Sequence, residues 1–145
     1  MTRVLVLNGP NLNLLGTRRP DVYGTTTLAA LDANCRSWGS DLGLTVECLQ
    51  SNHEGTLVDA LHAARGRCAG VVLNAGAYTH YAYSLHDAVE AIEIPVVEVH
   101  ISDVYKRESW RRHSVLEPVC VASIVGHGVD GYREALELLA KRIEP

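Results

Sequence analysis

Apolar residues gather in five short runs separated by longer stretches of mixed character. Arg3 to Asn8, Leu44 to Leu49, Gly70 to Asn74 and Pro95 to Val99 are rich in Val, Leu and Ile, and Cys120 to Val125 is similar. Each run is too short for a helix. Near-continuous apolarity over so few residues predicts strands covered on both faces of a parallel sheet. Between the runs, apolar positions recur at helical spacing. Thr26 to Leu42 carries Leu28, Leu31, Ala33, Cys35 and Trp38; Glu54 to Arg67 carries Leu57, Val58, Leu61 and Ala64; Ser84 to Glu93 carries Leu85, Ala88, Val89 and Ile92. Gly131 to Ile143 repeats the pattern through Ala135, Leu136, Leu138, Leu139 and Ile143, with two basic residues near its end that suit the helix dipole. These stripes predict amphipathic helices.

Strands alternating with helices predict an α/β fold, a doubly wound sheet with right-handed crossovers. No linker or internal repeat divides the chain, so residues 1–145 are expected to form a single domain. For five parallel strands the usual solution is the flavodoxin-like order 2-1-3-4-5, which puts the ligand crevice at the carboxyl ends of strands 1 and 3. Chemistry is therefore sought at that rim.

Strand 1 runs into Asn8-Gly9-Pro10-Asn11-Leu12-Asn13-Leu14-Leu15-Gly16 and then Thr17-Arg18-Arg19-Pro20-Asp21-Val22-Tyr23-Gly24, about seventeen residues before the next helical stripe. Connections in such units normally take about two to six residues. A surface loop without structure is one reading; its Leu and Tyr residues favour a binding lid, at about residues 16–25. Strand 3 leads into Asn74-Ala75-Gly76-Ala77-Tyr78-Thr79-His80 at the same rim. Strand 4 ends Glu98-Val99-His100-Ile101-Ser102, where alternation sets Glu98, His100 and Ser102 on one face. His100 is placed either as a strand stop bonded to backbone or as an acid or base. Ser109-Trp110-Arg111-Arg112-His113 adds positive charge, and guanidinium is a favoured partner of carboxylate. The pocket thus suits a small oxygenated acid.

Composition trims the alternatives. Apolar residues are 47% and charged residues 21% of the 145, which excludes disorder and collagen-like architecture. A net charge of minus four and a pI near 5.9 argue against nucleic acid as a partner. Cys35, Cys48, Cys68 and Cys120 form no C-x-x-C pair and read as buried thiols. The first residues lack the h-region and cleavage site of a signal peptide, and no apolar run approaches the roughly eighteen residues that span a bilayer, so no membrane is expected and the cytoplasm is the simplest address. Gly126-His127-Gly128-Val129-Asp130-Gly131 matches G-x-G-x-x-G, but only 14 residues follow, with no second strand and no acidic residue to hold a ribose; it reads as turn glycines before the last helix. No His or Cys spacing suggests a metal site, and Lys106 and Lys141 stand among charged neighbours, unsuited to a Schiff base.

Several separated stretches together resemble the type II 3-dehydroquinate dehydratases nearly end to end. They are Asn8-Gly9-Pro10-Asn11-Leu12 with Leu15-Gly16, Arg18, Pro20 and Tyr23-Gly24; Asn74-Ala75-Gly76 with Tyr78-Thr79-His80; Asp87-Ala88; Glu98 to Ser102; Arg107-Glu108; Arg111-Arg112-His113-Ser114; and Gly126-x-Gly128-x-x-Gly131-Tyr132. The resemblance implies a cofactor-free enzyme of the shikimate pathway that removes water from 3-dehydroquinate through an enolate. It makes Tyr23 the base, Arg18 the cation that holds it as tyrosinate, and His100 the acid that protonates the departing hydroxyl. Asn11 would help hold the water that stabilises the enolate, and Glu98 would support His100. Asn74, His80, Ile101, Ser102 and Arg111 would bind substrate. Asp87 matches a position that reaches substrate from a neighbouring subunit, in a homo-oligomer of trimers assembled into a dodecamer. Arg19, where many members carry Glu, and Tyr81-Ala82, where Thr-Ser is frequent, depart from the family pattern. The competing expectation is a non-catalytic flavodoxin-like module for a nucleotide or other small ligand.

Overall fold

Side-chain alternation along the first strand divides the core in two. In the computed structural model, which describes residues 2–143, Val4 and Val6 of strand β1 (Thr2–Asn8) face one layer and Leu5 and Leu7 the other. Four more strands join it: β2 (Leu44–Gln50), β3 (Gly70–Asn74), β4 (Val96–His100) and β5 (Ala122–Val125). All pair in parallel in the order β2-β1-β3-β4-β5, as the alternation of runs and stripes predicts. Register sets Asn8 beside both Gln50 and Asn74, so three carboxamides end three neighbouring strands.

The connections carry the helices α1 (Pro20–Tyr23), α2 (Leu28–Asp41), α3 (Glu54–Ala64), α4 (Tyr83–Ile92) and α5 (Asp130–Ile143). Leu31 and Cys35 of α2 and Tyr132, Leu136 and Leu139 of α5 close over the Val4, Val6 and Val72 side of the sheet. Leu57 and Leu61 of α3 and Leu85 and Val89 of α4 close over the Leu5, Leu7 and Leu73 side. Sheet residues of β1, β3 and β4 are buried on both faces, which explains their unbroken apolar runs.

Element ends follow local chemistry. Helix α2 starts two residues later than the stripe predicts, because the Thr27 hydroxyl accepts from Ala30 N at 3.2 Å and caps it. Helix α3 ends at Ala64, and Gly66 turns the chain at φ 77°. The fifth strand is shorter than its run, since Glu117–Val119 forms a 3-10 turn around Pro118 and Cys120 lies outside the strand. Being the sheet edge, β5 buries none of its residues fully, so two-sided cover does not extend to it. Cys35 and Cys68 are buried as expected, whereas Cys48 and Cys120 are half-buried.

Gly9 is required by a close crossing of two chains. A Cβ there would stand 2.6 Å from the Ala75 carbonyl oxygen, and Gly9 N donates to Asn74 O at 2.7 Å. The loops after β1 and β3 are thus stitched together at the rim.

Candidate active site

The long connection after β1 is built rather than slack. Leu12 and Leu15, both buried, anchor a 3-10 turn (Leu12–Leu14) to the core, and Gly16 reverses the chain at φ 92°. Arg19, at φ 39°, then leads into the single turn α1 whose last residue is Tyr23. A cavity of about 190 Å³ lies between this segment and the carboxyl ends of β1, β3 and β4, where the doubly wound topology places a crevice. Asn11, Arg18, Tyr23, Asn74, His80, His100, Ile101, Ser102 and Arg111 all line it, and so does Arg107.

Tyr23 meets two cations. Arg107 Nη1 donates to Tyr23 Oη at 2.8 Å and to Ser102 Oγ at 3.2 Å. Arg18 lies instead over the ring face, its Cζ 4.7 Å from the centroid. The guanidinium at the phenolic oxygen is therefore Arg107, whereas Arg18, the expected partner, lies over the ring.

His100 is held from behind. Its Nε2 lies 2.8 Å from Glu98 Oε2, and Glu98 is only 1% exposed. Ser114 Oγ accepts from Leu116 N and Glu117 N, which commits its own hydrogen to Glu98 at 2.6 Å; the Ser123 hydroxyl donates to the other carboxylate oxygen. Burial works to raise the Glu98 pKa, but the His100 hydrogen bond and charge and the two serine hydroxyls outweigh it and hold the acid below its ordinary value. A carboxylate facing these donors places a proton on His100 Nε2 and leaves Nδ1 for a ligand.

His80 is fixed as the opposite tautomer. Its Nδ1 stands 2.7 Å from the His113 carbonyl, which can only accept, so Nε2 keeps a lone pair. Burial, partly offset by that bond, lowers its pKa and keeps the ring neutral. The ring stacks 6.2 Å from His100 and receives the edge of Trp110 at 5.3 Å. Arg111 lies over Trp110 at 4.0 Å and pairs with Glu108 at 3.2 Å.

The remaining expected residues divide. Asn11, in the left-handed region at φ 70°, is fixed by its N–H donating to Asn52 Oδ1 at 3.0 Å. Asp87 lies on α4 away from the cavity, its side chain 79% exposed and paired with His86. Arg19 pairs with Asp21 at 3.8 Å in solvent; Tyr81 is exposed and Ala82 is buried. Sequence reasoning gave no role to Arg107, Ser114, Ser123 or Tyr132. Arg107, Ser114 and Tyr132 stood within the quoted motifs, but only their contacts show what they touch.

A lone-pair acceptor, a proton-bearing imidazole, a phenol and three guanidinium groups around one small cavity define an enzyme site for acid–base chemistry on a small anion. The chain belongs to the class II dehydroquinases, whose family model matches residues 2–140. It is 56% identical to the 3-dehydroquinate dehydratase of Ruegeria pomeroyi over 100% of this chain and 97% of that protein. It is 53% identical to that of Rhodopseudomonas palustris over 97% and 93%. Among solved structures, the type II dehydroquinase from Propionibacterium acnes superposes with a TM-score of 0.94 at 42% identity, covering 97% of each chain. These relatives do not favour the non-catalytic binding module.

Proposed function

We propose that this chain eliminates water from 3-dehydroquinate to give 3-dehydroshikimate, as a type II hydro-lyase of the shikimate pathway. One observation carries the chemistry: a phenol gripped by a guanidinium and an imidazole backed by a buried carboxylate face the same cavity.

Tyr23, as tyrosinate, takes the proton beside the ketone, and the electron pair of that C–H bond moves onto the carbonyl oxygen as an enolate. Asn11 helps hold the water that donates to this oxygen. When the enolate collapses, the bond to the neighbouring tertiary hydroxyl breaks and the imidazolium form of His100, its Nε2–H held by Glu98, gives up its Nδ1 proton so that the hydroxyl leaves as water. The proton gained by Tyr23 and the one lost by His100 balance through solvent. Arg107 and Arg18 stabilise the negative phenolate, Glu98 holds His100, and Asn74, His80, Ile101, Ser102 and Arg111 hold the substrate.

The whole chain serves as one catalytic domain with residues 16–25 as its lid. Asp87, remote from its own cavity, serves a neighbour's site in a dodecamer built from trimers. Among the described residues no helix is long and apolar enough to cross a membrane, and four free thiols support a cytoplasmic setting.

The test is spectrophotometric. The purified, colourless protein should convert 3-dehydroquinate to a conjugated enone absorbing in the near ultraviolet. A tightly held chromophore or phosphate ligand with no turnover would overturn the reading.

A further inference from the structure

Behind the cavity a buried chain of hydrogen bonds runs from Asn74 into the core. Asn74 Nδ2 donates to Tyr132 Oη at 2.8 Å, and the Tyr132 hydroxyl donates to Asn8 Oδ1 at 2.6 Å. Asn8 and Tyr132 are fully buried, and Asn74 is 4% exposed. At its cavity end, Gly76 N donates to Asn74 Oδ1 at 3.1 Å.

The direction of this chain is determined. A carboxamide can be turned over with little change of shape, so neither Asn74 nor Asn8 fixes its own polarity. A backbone N–H has no such freedom: Gly76 can only donate. Asn74 must then turn Oδ1 toward Gly76 and Nδ2 toward Tyr132, and the phenolic oxygen, having accepted there, passes its hydrogen to Asn8. Burial raises the Tyr132 pKa well above its ordinary value, so the hydrogen stays in place. Asn74 keeps one further N–H, the part of its amide that an acidic oxygen in the cavity can use.

We propose that Tyr132 is a positioning residue: its buried hydroxyl, tied to Asn8, locks the amide of Asn74 so that the remaining N–H serves substrate oxygen. This rests on the dehydratase reading, in which Asn74 binds substrate. Without the hydroxyl, Asn74 loses the acceptor that holds Nδ2, and its side chain can rotate away from its productive orientation. Without Asn8, the Tyr132 hydrogen has no acceptor to draw it away, and it can turn toward Asn74 and compete with the amide donor. The strongest alternative role is a merely structural one, because Tyr132 also fills the core between α5 and the sheet. That role predicts loss of stability and no specific change in substrate binding.

The experiment measures 3-dehydroquinate turnover by Tyr132→Phe, Asn74→Ala and the double variant beside the wild-type chain, with thermal melts of each. Tyr132→Phe should raise KM by about tenfold while kcat moves within about twofold, the pattern of lost ground-state binding. In the Asn74→Ala background the same substitution should leave KM unchanged, because the group it positions is gone. If Tyr132→Phe fails to fold, Asn8→Ala carries the test with the same two-background comparison. An unchanged KM in the single variant, or an equal rise in both backgrounds, overturns the proposal. Inactive wild-type protein would instead overturn the dehydratase reading on which it rests.

Discussion

Arg107 and Tyr23, 84 positions apart, meet through a 2.8 Å hydrogen bond that ties the segment after β1 to the loop after β4. Because the same nitrogen, Nη1, also donates to Ser102, it fixes the phenolic oxygen against the segment that follows β4. The sequence resemblance pointed to Arg18, which reaches only the ring face.

The two arginines should therefore be unequal. Arg107→Ala should lower kcat by about a hundredfold, within the range of a group that acts on a catalytic base, and Arg18→Ala by less. Arg107→Lys should recover only part of the loss, since the shorter, flexible ammonium keeps the charge but not the planar, packed placement of Nη1 between Tyr23 and Ser102. Steady-state kinetics of the three variants decide it; a larger loss in Arg18→Ala would reverse the assignment.

Tyr23→Phe keeps the ring under both guanidinium groups but removes the proposed proton acceptor. Its kcat should fall by about 10²–10⁴-fold with a much smaller change in KM. Near-normal turnover would make the lid a cover and leave the base elsewhere.

Glu98 links stability to acidity. Its carboxyl is held below its ordinary value of 4.5 in the fold, so the unfolded chain takes up a proton first as pH falls. The stabilisation is complete above about pH 4.5 and is lost as pH drops through the lower folded value. Glu98→Gln should be less stable than the wild type at pH 7, with the difference in urea midpoint narrowing below about pH 4.5. A difference constant from pH 7 to pH 3 would contradict an ionised Glu98 in the fold.

Asp87 predicts complementation between chains. If it completes a neighbour's site, Asp87→Ala and Tyr23→Phe chains, each weak alone, should regain part of the activity when dissociated and reassembled together. Light scattering should find a species of about twelve chains. A fully active monomer would contradict the shared site.

How far the sequence carried this picture depends on the range of the interaction. Strands such as Gly70–Asn74 were legible because two-sided burial leaves an unbroken apolar run. The rim was legible too, since strand order and the polar residues after Asn8, Asn74 and Glu98 converge there. The one-turn helix Pro20–Tyr23 was not, because it stands on the anchors Leu12 and Leu15 rather than on a stripe of its own. The tautomers of His80 and His100 were equally hidden: a carbonyl at His113 and hydroxyls at Ser114 and Ser123 set them, and only folding brings these groups together.

The bond between Asn8 and Tyr132 spans 124 positions, which gives the site a birth order. A ribosome adding about 5–20 residues per second makes Asn8 roughly 6–25 s before it makes Tyr132. During that interval the nascent β1 and β3 can pair, yet the amides of Asn8 and Asn74 have no phenol to share and the apolar face of α5 is missing. Chains stalled or truncated before α5 would keep α2 over part of the Val4 and Val6 side of the sheet but uncover Val72, Val97 and Val99 of β3 and β4, the surface a chaperone or protease would find. Catalytic competence and escape from quality control thus arrive together, with the last helix.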